Sequence, residues 1–95
     1  MITHVVMMKF KDRSPEVLNK VRDSLVALPA IIAEIKYFDV GVNIIESARA
    51  YDVVLVSRFD SLETLDIYSK HPAHVEALQY IRSVLETAAS VDYES

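Results

Sequence analysis

Two segments of this 95-residue chain alternate in the manner of β-strands yet carry apolar side chains on both of their faces. In the first, Ile2 to Phe10, one face holds His4, Val6, Met8 and Phe10, and the other holds Thr3, Val5, Met7 and Lys9. In the second, Tyr51 to Phe59, the run from Val53 to Val56 is apolar throughout. A strand of this kind is stable only in a sheet that is covered on both sides.

Helices are predicted between these strands. Ser14 followed by Pro15 is typical of a helix start, because the hydroxyl caps free backbone N–H groups and proline fits the first turn. Pro29 closes that helix. Asp60 or Ser61 caps a short second helix, and Pro72 begins a longer third one. The apolar stripes predicted for the first and third helices are Val17, Leu18, Val21, Leu25 and Leu28, and Val75, Leu78, Ile81, Val84 and Leu85.

Two further strands complete the order β-α-β-β-α-β, with the second helical region split in two. They are Ile35 to Asn43, in which Gly41 suggests a β-bulge, and Ser90 to Tyr93. The order predicts an α+β, ferredoxin-like fold with a four-stranded antiparallel sheet, as one domain over residues 1–95. Because its helices cover only one face of the sheet, we expect a homodimer that closes into an α+β barrel.

Composition excludes several classes of function. There is no cysteine, which excludes disulfides and thiolate chemistry, and the single glycine excludes glycine-rich phosphate loops. The net charge is −4 and no basic stripe is present, so we expect no nucleic-acid partner. No apolar run is long enough for a signal peptide or a membrane span, and we expect a cytoplasmic protein that does not contact membranes.

Few side chains can do chemistry, and most of them lie between Tyr68 and His74. His71 precedes Pro72 and is expected to cap the third helix. His74 falls in the first turn of that helix, where the helix dipole should lower its pKa and leave a neutral imidazole that can accept a proton. A zinc site made from His71 and His74 is not expected, because two histidines three residues apart are too few ligands.

Each candidate also has a purely structural interpretation. His4 shares its face of the first strand with Val6 and Met8, and a lone histidine on an apolar face is usually a hydrogen-bonded core residue. Tyr68 can bury its ring and satisfy its hydroxyl locally. The residues alone therefore indicate a histidine base and a tyrosine donor, and leave open whether either one acts.

Four segments of the sequence carry a family resemblance. They are THVVMMKFKD, YDVVLVSRF, SLETLDIYSKHPAHVEAL and the closing VDY. Over nearly its whole length the chain resembles the stress-responsive dimeric A/B barrel (Dabb) family, most specifically at His4 and in the run from Tyr68 to His74. The resemblance implies a ferredoxin-like fold and a dimer whose two sheets form a barrel.

The chain is also similar to plant polyketide cyclases of this fold, such as olivetolic acid cyclase, which performs an intramolecular aldol condensation without a cofactor. This likeness implies that His74 is the catalytic base, that Tyr68 holds the substrate oxygen, and that His4 shapes the pocket. Apolar residues expected to bind the substrate beside them are Val6, Met8 and Leu55. No metal and no cofactor are implied. The cyclase lines its pocket with aromatic residues of the first helix, whereas Val21 to Leu25 carries none, so a long alkyl tail is not supported as a ligand.

Three functions stay open at this point. In the first, the chain binds a small carbonyl or aromatic compound, with or without cofactor-free catalysis. In the second, it is a non-catalytic, stress-linked dimeric module. In the third, it is a monooxygenase of the wider barrel superfamily. A cavity of about 300 Å³ or more that reaches His74 and Tyr68 would favour the first. A filled core in which both side chains are satisfied by the backbone would favour the second.

Overall fold

The computed structural model describes all 95 residues as one four-stranded sheet with three α-helices. The strands are β1 (Ile2–Phe10), β2 (Tyr37–Val42), β3 (Val53–Phe59) and β4 (Leu85–Glu94), and the helices are α1 (Pro15–Val26), α2 (Leu62–Lys70) and α3 (Pro72–Val84). The strand order is β2-β3-β1-β4, and every neighbouring pair is antiparallel. This confirms the predicted ferredoxin-like α+β fold. No helix has both the length and the apolar character needed to cross a membrane.

Local side-chain chemistry starts each helix where the sequence predicts it. Ser14 caps α1. Of the two candidates for α2, Ser61 is the cap: its Oγ accepts the Thr64 N–H at 3.2 Å, and Thr64 Oγ1 accepts the Ser61 N–H at 3.1 Å. His71 Nδ1 accepts the Ala73 N–H at 3.1 Å and caps α3, as predicted. These bonds satisfy N–H groups that a helix start leaves free.

The helices cover one face of the sheet. From β1 and β3 the buried apolar side chains on this face are Ile2, Met8, Phe10, Val53, Leu55 and Phe59. The helical layer and the turns that follow α1 supply the rest of the core, namely Val21, Leu25, Leu28, Ile32, Tyr68 and Ile81. The hydrophobic core therefore lies between the sheet and a single layer of helices.

The opposite face of the sheet, here called the open face, has no helix over it. Its centre carries Val5, Val54 and Val56, which are half-buried. Around them, four further side chains are 40 to 54% exposed: Met7, Tyr37, Val91 and Tyr93. The apolar second face that the strand patterns predict is therefore present and uncovered in the single chain.

Strand β4 is longer than predicted. It begins at Leu85 rather than Ser90, so Leu85 belongs to the sheet and not to the stripe of the third helix. The segment Leu85 to Ala89 favours a helix by intrinsic propensity. Antiparallel pairing with β1 outweighs that preference. Val75, also predicted to be buried, is 43% exposed on α3.

Gly41 does not form the predicted bulge. Pairing of β2 with β3 runs without interruption, and Gly41 lies directly opposite Val54. Its φ is not positive either. The irregularity in the sheet lies elsewhere, between Lys9 and Phe10, where β1 pairs with β4.

A buried carboxylate ties the end of β1 to the loop that precedes β3. Asp52 is 3% exposed. Its Oδ2 accepts the Phe10 N–H at 2.9 Å, and its Oδ1 accepts the Arg13 Nε–H at 2.9 Å. Arg13 also contacts Glu46 at 3.2 Å. Because Asp52 satisfies a buried backbone donor, it contributes to stability more than an exposed ion pair would.

We expect Asp52→Ala to lower the free energy of unfolding by about 1–3 kcal/mol, because it leaves the Phe10 N–H buried without a partner. The control is Glu46→Ala, which removes the other, 88% exposed carboxylate of the same arginine and should cost less than about 1 kcal/mol. Urea denaturation measures both. Equal losses in the two variants would contradict this role for Asp52.

Candidate functional site

Tyr68 is the centre of a cluster between the helices and the sheet. It lies in the last turn of α2 and is 1% exposed. Its ring centroid is 4.3 Å from that of His74 and 6.4 Å from that of His4. Phe59 lies on another side at 4.9 Å. The three chemical candidates taken from the sequence are thus brought together around one phenol ring.

The junction of α2 and α3 places two of these residues. The His71 N–H donates to the Tyr68 carbonyl at 3.1 Å and ends α2. Pro72 then starts α3 in a new direction, because its ring cannot continue the preceding helix. His74, in the first turn of α3, reaches back so that its Nδ1 lies 3.0 Å from the Ser69 carbonyl oxygen. The junction therefore stacks His74 against Tyr68.

The Tyr68 hydroxyl is buried and has no hydrogen-bond partner in the chain. Burial raises the pKa of this phenol well above its usual range, so it stays protonated and keeps its donor. Buried polar groups almost always have a hydrogen-bond partner, so a buried hydroxyl without one is unusual. Tyr68 is therefore a buried hydrogen-bond donor that has no acceptor in the apolar layer around it.

His74 presents one nitrogen to the backbone and leaves the other free. A carbonyl oxygen can only accept, so Nδ1 carries the proton that is donated to Ser69, and Nε2 keeps its lone pair. Burial lowers the pKa of His74, and the charges of His4, Arg82 and His71 lower it further, while the Ser69 carbonyl opposes them. The predicted direction is confirmed, but the leading cause is burial rather than the start of the helix.

His4 has a carboxylate partner that the sequence did not reveal. The pairing of β1 with β4 sets His4 directly opposite Asp92. His4 Nδ1 is hydrogen-bonded to Asp92 Oδ1. In the neutral form of His4 this bond places the ring proton on Nδ1, and Nε2 is then an acceptor. Asp92 lies within the predicted last strand, but only the register of that strand against β1, which no local pattern sets, identifies it.

The apolar residues predicted to bind substrate lie on the helix-facing side of the sheet. Val6 and Leu55 are directly opposite each other on β1 and β3. Leu55 and Met8 are buried in the core, and Val6 packs against it. They share a face with His4, as predicted, but each is in contact with other core side chains, and their role in binding stays a prediction.

None of the cavities in the chain is lined by His4, Tyr68 or His74. The largest, about 440 Å³, is a groove between α1 and α3. Another, of about 340 Å³, lies at the edge of the sheet and includes Asp92, Ile2 and Leu62 in its wall. No three His, Asp or Glu side chains lie close enough together to hold a metal ion. The cluster around Tyr68 is thus closed in this conformation.

A ferredoxin-like α+β domain with one uncovered sheet face and a tyrosine–histidine cluster beneath its helices defines the class of this protein. The family model of the Stress responsive A/B Barrel Domain matches residues 2–95, and the chain belongs to that family. A relative from Arabidopsis thaliana, the stress-response A/B barrel domain-containing protein HS1, is 31% identical over 96 residues, which cover 98% of this chain and 88% of the relative.

Solved structures share the fold. A dimeric protein of unknown function from Bacteroides fragilis, with a ferredoxin-like fold, is 33% identical and superposes with a TM-score of 0.87, covering 99% of this chain and 95% of that one. The hydroxynitrile lyase of Passiflora edulis is 18% identical with a TM-score of 0.84, covering 97% and 90% of the two chains. The first protein is dimeric. The second shows a common fold alone.

The lowered pKa of His74 makes stability depend on pH. The folded chain binds a proton at His74 less readily than the unfolded chain does. The contribution of neutral His74 to the free energy of unfolding is therefore complete above the usual histidine pKa of about 6.5, and it is lost as the pH falls through the pKa of His74 in the folded chain. We expect an NMR titration to give a His74 pKa clearly below 6.5, and His74→Gln to flatten the acid side of the stability profile. A measured value at or above 6.5 would contradict the burial argument.

Proposed function

We propose that this protein binds a small carbonyl compound beside Tyr68, His74 and His4. The observation that carries the proposal is the buried Tyr68 hydroxyl without a partner. An unpaired buried donor costs about 1–3 kcal/mol, and a carbonyl oxygen of a ligand would supply the missing acceptor. The free Nε2 atoms of His74 and His4 offer acceptors for hydroxyl groups of the same ligand. This chemistry suits a β-diketone or a phenolic ketone.

The side chains of His74 and Tyr68 support one reaction class, a cofactor-independent intramolecular aldol addition. Nε2 of His74 removes a proton from the carbon next to a carbonyl, and the enolate oxygen that forms accepts a hydrogen bond from the Tyr68 phenol. The enolate carbon attacks a second carbonyl of the same molecule, and the imidazolium of His74 returns its proton to the new alkoxide. Protons and electrons balance without any other reactant. Asp92 would act as a positioning residue that orients His4.

Ligand entry requires a movement, because the cluster is closed. The histidines lie on its outer side: the side chain of His4 is 18% exposed and His74 is half-buried. A shift at His71, where α2 meets α3, would expose Tyr68 to a ligand that selects the open form. The closed packing favours the rival hypothesis, a non-catalytic module in which Tyr68 only fills the core, and the experiments below separate the two.

We also propose that the chain is a homodimer that buries the open face. The half-exposed Met7, Tyr37, Val91 and Tyr93 form an apolar patch with the valines between them, and such a patch is typical of an interface. The dimeric relative from Bacteroides fragilis supports this assembly. Packing of two sheets face to face would close the barrel that gives the family its description.

Tyr68→Phe separates the binding hypothesis from a packing role. Without ligand, we expect the variant to be more stable by about 1–2 kcal/mol, because it removes an unpaired buried hydroxyl and keeps the ring. With a panel of small β-diketones and hydroxyacetophenones, the parent should gain thermal stability through binding and the variant should not.

The control for this experiment is Tyr80→Phe, which removes a phenol oxygen on α3 where the ring contacts Lys20 instead of the cluster. It should keep the ligand-induced shift of the parent. If Tyr68→Phe destabilises the free protein, or keeps the same shift, the hydroxyl has a structural role and the non-catalytic module is the better hypothesis.

The dimer is tested with two valines of similar exposure. Val91, 54% exposed, lies on the open face, and Val26, 49% exposed, lies on α1. We expect Val91→Glu to raise the dimer dissociation constant by at least about tenfold, since a buried unpaired charge opposes association, and Val26→Glu to leave it unchanged. Analytical ultracentrifugation gives both constants. A parent chain that is monomeric at micromolar concentration would end this proposal.

A further inference from the structure

The only glycine of the chain sits where the backbone does not require one. Gly41 lies inside β2, has no positive φ and is paired with Val54 in regular register. Glycine weakens a strand interior, and where no bulge or turn explains it, it marks a site that another group approaches closely. A Cβ at this position would lie 3.2 Å from Val54 Cγ1, so the valine approaches Gly41 closely and would have to shift by a few tenths of an ångström to admit a side chain.

A hollow lies beside Gly41 and is here called the Gly41 hollow. It is a cavity of about 220 Å³ whose wall includes Gly41, Met7, Val54 and Tyr51. Gly41, Met7 and Val54 all belong to the open face, because their strand neighbours Val40, Met8 and Val53 pack into the core on the other side. The hollow therefore opens toward the side of the sheet that carries no helix.

Two polar side chains in the wall already have partners. Asp52 accepts hydrogen bonds from the Phe10 N–H and from Arg13. Asn43 donates to the Ile45 carbonyl at 2.8 Å and accepts the Ile45 N–H at 3.4 Å. The Tyr51 hydroxyl is the remaining polar side-chain group, and the hollow is continuous with the apolar open face. Its chemistry therefore fits an apolar side chain.

We infer that the Gly41 hollow is a socket that receives an apolar side chain of a second copy of this chain. The inference rests on the proposed homodimer and adds a specific contact to it. A two-fold interface uses the same patch on both subunits, so the occupant belongs to the exposed apolar side chains of the open face itself. The candidates that do not line the hollow are Tyr37, Val91 and Tyr93.

The socket is tested by filling it. Gly41→Val adds a branched side chain at the wall of the hollow, where Val54 must shift to admit it, and we expect it to raise the dimer dissociation constant at least about tenfold by excluding the partner's side chain. The control is Asp39→Val, which adds the same side chain to the same face of the same strand, two residues from the hollow. It should change the constant by less than about threefold. Circular dichroism verifies that each variant keeps the fold of the parent, and Gly41→Ala serves if the valine variant does not fold.

The outcomes separate this inference from the proposed dimer. If Val91→Glu dissociates the dimer and Gly41→Val does not, the open face is the interface but the hollow is not a socket. The socket is then ruled out and the proposed dimer stands. Equal weakening by Gly41→Val and Asp39→Val rules out the socket as well, because the effect then belongs to the strand and not to the hollow. If neither Val91→Glu nor Gly41→Val affects association, the open face itself is the wrong interface.

Discussion

Burial of two apolar faces by a single layer of helices is impossible, and this constraint organises the whole molecule. Successive side chains of β1 point to opposite faces of the sheet, so His4 faces the helices and its neighbour Val5 faces away from them. The core, the tyrosine–histidine cluster and the caps of α2 and α3 all lie on one side. The other side keeps valines, Met7 and two tyrosines that a lone chain leaves in contact with water. A candidate site and a candidate interface are therefore separated by the thickness of one sheet.

The two sides share the strands that hold them. Asp92, which orients His4, is adjacent to Val91, which belongs to the open face, and both are on β4. This strand is an edge of the sheet and is mostly exposed, so in the single chain its pairing with β1 is its main support. A second copy packed on Val91 would hold β4 in register and thereby keep the carboxylate against His4. Assembly of the proposed dimer would thus be linked to the site geometry through this register rather than through any contact between the site and the interface.

The sequence predicts those features that depend on neighbours along the chain. Ser14 before Pro15 and His71 before Pro72 are confirmed as helix caps, and Ser61 is the cap of α2 among the two candidates, Asp60 and Ser61. Two-faced apolar strands predict the uncovered face for the same reason. Features set by distant pairing were missed: Leu85 to Ala89 favours a helix by propensity but is drawn into the sheet by β1, and Asp92 becomes a partner of His4 only through that register. The pKa of His74 moves in the predicted direction, yet its main cause, burial, depends on packing that no local pattern contains.

Tyr68 gives the strongest reason to look for a ligand. Its ring packs against Phe59 and both histidines, and a phenylalanine would make the same contacts without burying an oxygen. Packing therefore explains the ring but not the hydroxyl. Burial keeps that hydroxyl protonated, and the chain offers it no acceptor. Beside the Tyr68 ring lie the imidazoles of His74 and His4, whose Nδ1 atoms are bonded to the Ser69 carbonyl and to Asp92. In the neutral imidazoles the Nε2 atoms would accept protons or hydrogen bonds from a bound molecule. The Tyr68 hydroxyl lacks an acceptor, and the histidine Nε2 atoms lack donors. This arrangement is complementary to a compound that carries both a carbonyl oxygen and an acidic hydrogen, and packing alone does not account for it.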